Sequence, residues 1–334
     1  MQKLARHFRY LLLLLPGLLA GCQAQPDAAA TAAGPPPVGH YQGSVAVPAG
    51  PRLAAALDVR HPSPGHYEAE LTLPAAPGLS FVADTVLFAA HQLLLRRPGR
   101  PGQTLRLALD GDFWRGTLAL DSGLAPVLLV RRGAPSPRSY RVEELPQAGG
   151  GTAWLFAPAD TRTPGPALAL LPDAATAAAA PLWADALARN GVIVLLLPAT
   201  DSALAPLPAA LRRLRATAGA DTAAVGAWLA GGRAAAFAGA KLARPTPAFL
   251  LLQNVPAASG PARAAWAALA ARPLLGLGAG RENSRAVRQA LPRRRATTLL
   301  ALPTAAPDLL EPGPLGPQLG PQAQAAVLAW LHER

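Results

Sequence analysis

Hydrophobic and polar positions change rhythm along these 334 residues. Between residues 38 and 133, short stretches alternate apolar and polar with period two: "HYQGSVAV", "YEAELTL", "QLLLRR", "TLRLAL" and "FWRGTLAL". The turn-rich segments "PAGP", "HPSPGH", "RPGRPG", "DGD" and "DSG" part them. Alternation recurring about every ten residues between Pro and Gly predicts a small all-β domain, an antiparallel barrel or sandwich. After the polar, Pro-rich "APSPR", within residues 134–139, the pattern becomes a different one. "YRVEEL" and "TAWLFAP" read as a strand pair around "PQAGGG". The wholly apolar runs "PALALLP", "VIVLLLP", "AAVGAWLA", "AFLLLQN", "PLLGLG" and "TTLLALP" follow, each succeeded by a helical pattern. Strands apolar on both faces and separated by helices are parallel strands covered on both sides. Residues 140–334 are therefore expected to form an α/β domain with a doubly wound, mostly parallel sheet of eight strands. Helix punctuation is expected at Gly191 and Gly219, with Asn283 or Ser284 as an N-cap.

The first residues follow neither rhythm. Lys3, Arg6 and Arg9 make a basic start, Leu11 to Leu15 an apolar stretch too short to span a bilayer, and "LAGC" ends in small residues before Cys22. This resembles a bacterial lipoprotein signal with its lipobox. The resemblance implies a signal peptide over residues 1–21 and lipidation of Cys22. Residues 22–37, rich in Ala, Pro and Gly, then read as a flexible tether holding the folded part off the membrane. The expected location is the cell envelope, on the periplasmic or extracellular face, with inner and outer membrane both open. Cys22 is also the only cysteine, so neither a disulfide nor a cysteine metal site is expected.

The net charge of +12 raises the question of a polyanionic partner. The basic residues are almost all arginine and scattered, and "PRRRA" is the only dense run, so no nucleic-acid partner is expected. No metal site is expected either, because His61 and His66 flank the turn "HPSPGH" without an acidic residue between them. No cofactor is expected: "GLGAGREN" follows a strand but carries Asn283 at its third glycine position, and "AGGRAA" lacks the lysine of a phosphate-binding loop.

Two resemblances bear on function. The stretches "GHYQGSV", "YEAELTLPAAPGLSFVADTVLFAAHQLLL" and "DGDFWRGTLALDSGLAPVLLVRR" resemble the small β domain that precedes the hydrolase domain in a group of bacterial secreted α/β-hydrolases. A hairpin followed by strand-helix alternation is, in turn, similar to the α/β-hydrolase fold. That family carries its nucleophile on a strained turn after the fifth strand, in a G-x-S-x-G elbow. The elbow falls on "VGAWLAGGRA", with Gly231 in the nucleophile position and Leu229 and Arg233 in place of the flanking glycines. The acid position after the seventh strand offers Glu282, whose other reading is a solvated acid in a first helical turn. The base position after the eighth strand is held by Pro307, and the domain's only histidine, His332, lies in the terminal helix.

Three functions stay open at this stage. The first is a catalytically degenerate hydrolase-like module that binds a small molecule or an envelope ligand, or serves in assembly. The second is an active esterase or acyl hydrolase with an atypical site, using Glu282 and a residue such as Ser202. The third is a basic module that binds anionic lipid or glycan through its arginines. An open polar pocket above Gly231 would favour binding there, and a side-chain plug a structural role.

Overall fold

The computed structural model describes residues 34–48, 50–121, 123–147, 151–199, 204–240, 244–256, 264, 266–267, 271–313 and 316–334. The expected lipidation site, Cys22, and Ser202 lie outside these residues.

The first nine strands form one antiparallel sheet. They are β1 (Gly39–Ala46), β2 (Arg52–Ser63), β3 (His66–Thr72), β4 (Phe81–Ala83), β5 (Val86–Ala89), β6 (Gln92–Arg97), β7 (Arg100–Asp110), β8 (Phe113–Leu120) and β9 (Gly123–Gly133). Their order is β4-β3-β2-β1-β9-β8-β7-β6-β5, and the ends curl together, with β4 beside β6 and β3 beside β5. The result is nearly a barrel. Alternate residues such as Tyr41, Val45, Leu57, Leu71, Leu105 and Leu129 fill it around Trp114, which meets Tyr41 and Phe88 edge-on at 5.9 and 6.2 Å. Two supposed turns are shorter than the sequence suggested. "HPSPGH" is largely taken up by the ends of β2 and β3, and "RPGR" turns between Arg97 and Arg100 with Gly99 at φ +71°.

The second sheet contains β10 (Tyr140–Pro146), β11 (Thr152–Pro158), β12 (Gly165–Leu171), β13 (Ile193–Leu196), β14 (Ala220–Ala230), β15 (Leu250–Gln253), β16 (Leu274–Ala279) and β17 (Thr297–Leu302). Its order is β10-β11-β13-β12-β14-β15-β16-β17. The sheet is mixed: β11 pairs antiparallel with β10 and β13, and the five remaining pairings are parallel. One face packs against α1 (Ala180–Arg189) and, at the chain end, a helix over Pro321–His332, through Trp183, Trp228, Phe249 and Trp330. The other packs against α2 (Leu207–Arg215), α3 (Gly231–Gly239) and α4 (Gly280–Ala290), through Leu211, Phe237, Leu252 and Val287. The terminal helix is α5. No helix among the described residues is long and apolar enough to cross a membrane.

Two features depart from the sequence expectation. Helix α4 begins at Gly280, earlier than the anticipated cap at Asn283 or Ser284, because φ +75° at Gly280 turns the chain straight from strand to helix. Ser284 instead donates from Oγ to the carbonyl of Gly278, 2.7 Å away. A small hairpin, β18 (Leu310–Gly313) with β19 (Gly316–Leu319), occupies part of the segment after β17 that read as loop.

A buried polar seam joins the two sheets. Glu70 accepts from Arg60 at 3.1 Å and from Arg189 at 3.2 Å, and Arg189 Nε donates to Asp185 at 3.1 Å. Tyr140 donates its hydroxyl proton to Asp185 and accepts from the backbone N–H of Val82 at 3.0 Å. The segment 134–139 is strapped into the same seam: Ser136 N–H donates to Asp58 at 2.7 Å and its carbonyl accepts from Arg60 Nε at 2.7 Å. Removing a charged member of such a buried set weakens the compensation of its partners, at a cost of up to about 3 to 5 kcal/mol.

Candidate functional site

The elbow begins in the core. Val225 to Ala230 are buried without interruption, so the end of β14 is fixed on both faces. Ala230 is extended at φ −103°, ψ 146°, and Gly231 then takes φ +45° as the first residue of α3. The position where the resemblance places a nucleophile thus has a left-handed turn but no side chain. A Cβ added at Gly231 would collide with Oδ2 of Asp173. This aspartate comes from the segment after β12, the "PDAAT" that reads in sequence as an ordinary turn.

Asp173 is held there by local chemistry. Its Oδ1 accepts from the backbone N–H of Thr176 at 3.0 Å and from Thr176 Oγ1 at 2.7 Å. Thr176 Oγ1 in turn accepts from the Asp173 N–H at 3.0 Å. This reciprocal pair is a capping box for the turn leading into α1. It pins Oδ1 and leaves Oδ2 over Gly231.

The other elbow positions are filled. Leu229 is buried in the core beside Phe237 and Leu252, and Arg233 is 2 % exposed with Nη2 donating to the carbonyl of Pro198 at 3.0 Å. Beside β14, Trp228 and Trp183 stand tilted with ring centroids 5.0 Å apart. They line, with Ala230, Thr176, Gln253 and Asp308, a cavity of about 10 Å³. That volume admits one water at most. Between an open pocket and a plug, the side chains here form a plug.

The remaining expected site residues are not assembled into a relay. Glu282 is exposed in the first turn of α4 and forms no hydrogen bond or ion pair among the described residues. Pro307 is exposed, and its carbonyl accepts from Gln253 Nε2 at 2.8 Å and Asn254 Nδ2 at 2.6 Å. Gln253 Oε1 accepts from Trp228 Nε1 at 2.9 Å, while Asn254 Oδ1 accepts from Ala279 N–H at 2.9 Å. Backbone and amide contacts therefore tie the ends of β14, β15 and β16 to the segment after β17, where a catalytic relay would otherwise run. His332 lies at the other end of the sheet. Its Nε2 is 3.0 Å from the carbonyl of Asn190, near Gly165 at the start of β12, whereas Leu171 at the end of β12 pairs with Leu229. Seven residues of strand at ~3.3 Å each put roughly 20 Å between those ends, far beyond the reach of proton transfer.

The strongest electrostatic perturbations lie in the seam. Burial, and then the charge of Asp185, push the Tyr140 hydroxyl well above the usual tyrosine range. Burial alone would lower Arg189, but Asp185, Tyr140 and Glu70 outweigh it and raise the group above its ordinary value. Burial lowers Arg97, which is bonded to the Gly78 carbonyl at 2.7 Å and to Gln103 at 3.0 Å. Among the described residues there is no group of three or more His, Cys, Asp or Glu arranged to hold a metal ion.

No protein-family model matches the sequence, and no curated protein matches it. Among solved structures the chain is similar to a 2,6-dihydroxy-pseudo-oxynicotine hydrolase, at 10 % identity and TM-score 0.40 over 58 % of this chain and 67 % of that one. It is also similar to the esterase domain of a Rhodothermus marinus protein, at 18 % identity and TM-score 0.41 over 58 % of this chain and 98 % of that one. The strand order of the second sheet and the strand-to-helix turn at Gly231 agree with the fold that the sequence resemblance implies, preceded by an antiparallel β sheet.

Proposed function

We propose that this chain is an envelope lipoprotein anchored through Cys22, with its β domain over residues 38–133 and its hydrolase-like domain over residues 140–334. In this reading the hydrolase-like domain is catalytically degenerate and serves as a binding or assembly module, the plug beside Gly231 favouring assembly over binding of a ligand at the elbow. The observation that carries the reading is the arrangement at Gly231. The turn survives, the nucleophile is missing, and a capped Asp173 carboxylate fills the space where its side chain would stand. Acyl transfer needs a nucleophile with a base in hydrogen-bond reach. Glu282, Pro307 and His332 supply no such pair at this position. The lipobox-like leader and the tether support an envelope location from the sequence side.

The test is turnover of p-nitrophenyl butyrate by the purified chain, beside a Gly231→Ala variant. Equal rates, both at the level of the buffer, are expected. Turnover well above that level that disappears in Ser202→Ala would replace the proposal with an active hydrolase of different constellation.

A further inference from the structure

Large apolar side chains are exposed at few places. Among the described residues they are Leu87, Phe113, Leu124 and Leu128, and three of the four stand on the neighbouring strands β8 and β9. Leu124 is 64 % exposed, Leu128 41 % and Phe113 40 %. Strand alternation explains why they share a face: Ala125, Val127 and Leu129 point into the barrel, so Leu124, Pro126 and Leu128 point out. The register extends the apolar surface across the sheet. Leu124 faces Ala119, Leu128 faces Arg115 and, on the other side, Ser44, and Phe113 faces Val130.

Arginines stand on this surface, and the acids near it are Asp110 within the strands and Asp112 and Asp121 in the turns at its ends. Arg115 lies between Leu128 and Ala108 and leans over the Phe113 ring at 5.5 Å. Arg106 faces Thr117, and Arg52 faces Ala46; both are exposed and have no carboxylate partner among the described residues. Asp110 is the single carboxylate within β7, β8 and β9, and Arg115 already pairs with it at 3.5 Å. An apolar patch flanked by Arg52 and Arg106, with Arg115 over Phe113, is a surface an anionic lipid bilayer attracts: arginines meet headgroup phosphates, and leucine and phenylalanine enter the acyl boundary.

The N-terminal chain enters the fold at the end of β9. Val38, just before β1, gives its carbonyl to Arg131 Nη2 at 3.2 Å, beside the β9 end that carries Val130 opposite Phe113. Residues 22–33 join Cys22 to Gly34, the first described residue, and reach on the order of 40 Å when extended. An anchor at Cys22 would thus hold this face within reach of the bilayer, raising its effective concentration there. We infer that the outer face of β7, β8 and β9 docks on an anionic lipid bilayer, laying the β domain against the membrane. The inference deepens the proposal of an anchored module, but the chemistry of the face stands without the anchor.

The test uses the chain from Gln23 onward, which keeps every described residue and lacks Cys22. It is mixed with vesicles of phosphatidylcholine alone or with phosphatidylglycerol added, and sedimented. Binding to the phosphatidylglycerol vesicles is expected, weakening several-fold at ~1 M salt, where screening falls to about 3 Å. The Leu124→Ser/Leu128→Ser pair should weaken it by at least about tenfold with the thermal transition unchanged, since both side chains already face water. Arg52→Gln/Arg106→Gln should remove the preference for the anionic lipid. Equal binding by wild type and the leucine variant, or no binding to either vesicle, overturns the inference. Concentration-dependent dimers without lipid, abolished by the leucine variant, would also overturn it, because the face would then belong to a second copy. A failure of the anchor assignment leaves all of these readouts unaltered.

Discussion

Replacing Gly231 by alanine tests the elbow geometry itself. At φ +45° an L side chain costs about 1 to 2 kcal/mol through the contact of Cβ with its own backbone. The new Cβ also meets Oδ2 of Asp173, so the carboxylate must swing away from its two bonds to Thr176 at 3.0 and 2.7 Å. Loss of an aspartate that caps a turn in this way costs about 1 kcal/mol, by analogy with helix caps. The expected destabilisation is therefore about 2 to 3 kcal/mol, read by urea unfolding followed through tryptophan fluorescence. Gly232→Ala is the control, because a Cβ there meets nothing within 4 Å and its φ is not in the left-handed region. That variant should be neutral or slightly more stable. Asp173→Ala should cost about 1 kcal/mol alone and should remove the collision, so the double variant should be about 1 kcal/mol better than additive. A Gly231→Ala variant within about 0.5 kcal/mol of wild type, or a strictly additive cycle, would refute the placement of Asp173 over the elbow.

Tyr140→Phe removes the donor to Asp185 and the acceptor for Val82 N–H, and should cost about 1 to 3 kcal/mol at neutral pH. Because the folded-state hydroxyl sits above the ordinary value near 10, its contribution is complete below that pH and is lost as pH rises further, so the wild type should lose stability above about pH 10 more steeply than the variant; parallel curves would contradict the seam. Cys22→Ser should leave the chain unprocessed or soluble in cell fractionation; a processed variant still sedimenting with membranes would disprove lipidation at that residue.

Much of the fold was legible because burial dictates composition. Strands β12 to β16, covered on both faces, read as largely apolar runs, and β1, β7 and β8 alternate because only one face is buried. Gly231 was legible too, since a strand running into a helix without a loop demands a residue that tolerates positive φ. Asp173 was not. Its "DAAT" cap is local, yet its position over Gly231 depends on how the segment after β12 lies across the end of β14, which no spacing reveals. The capping pair of an acid with a threonine three residues on was the one available signal. The seam escaped notice for a related reason: Glu70 and Arg189 are 119 positions apart, and "YEAELTL" reads as a strand with solvated acids until a second sheet covers it. The hairpin of β18 and β19 was hidden in "LEPGPLGPQL", where proline and glycine outweigh any alternation.

The most direct test of the proposed degeneracy is exhaustive labelling of the intact protein with a fluorophosphonate probe, read by intact mass and peptide mapping. The probe phosphonylates an activated serine, releasing fluoride, without needing a matched substrate. No adduct is expected on any serine, before or after Gly231→Ala. A stoichiometric adduct on one serine of the folded protein, lost on heat denaturation, would contradict that degeneracy and assign the chain a working nucleophile.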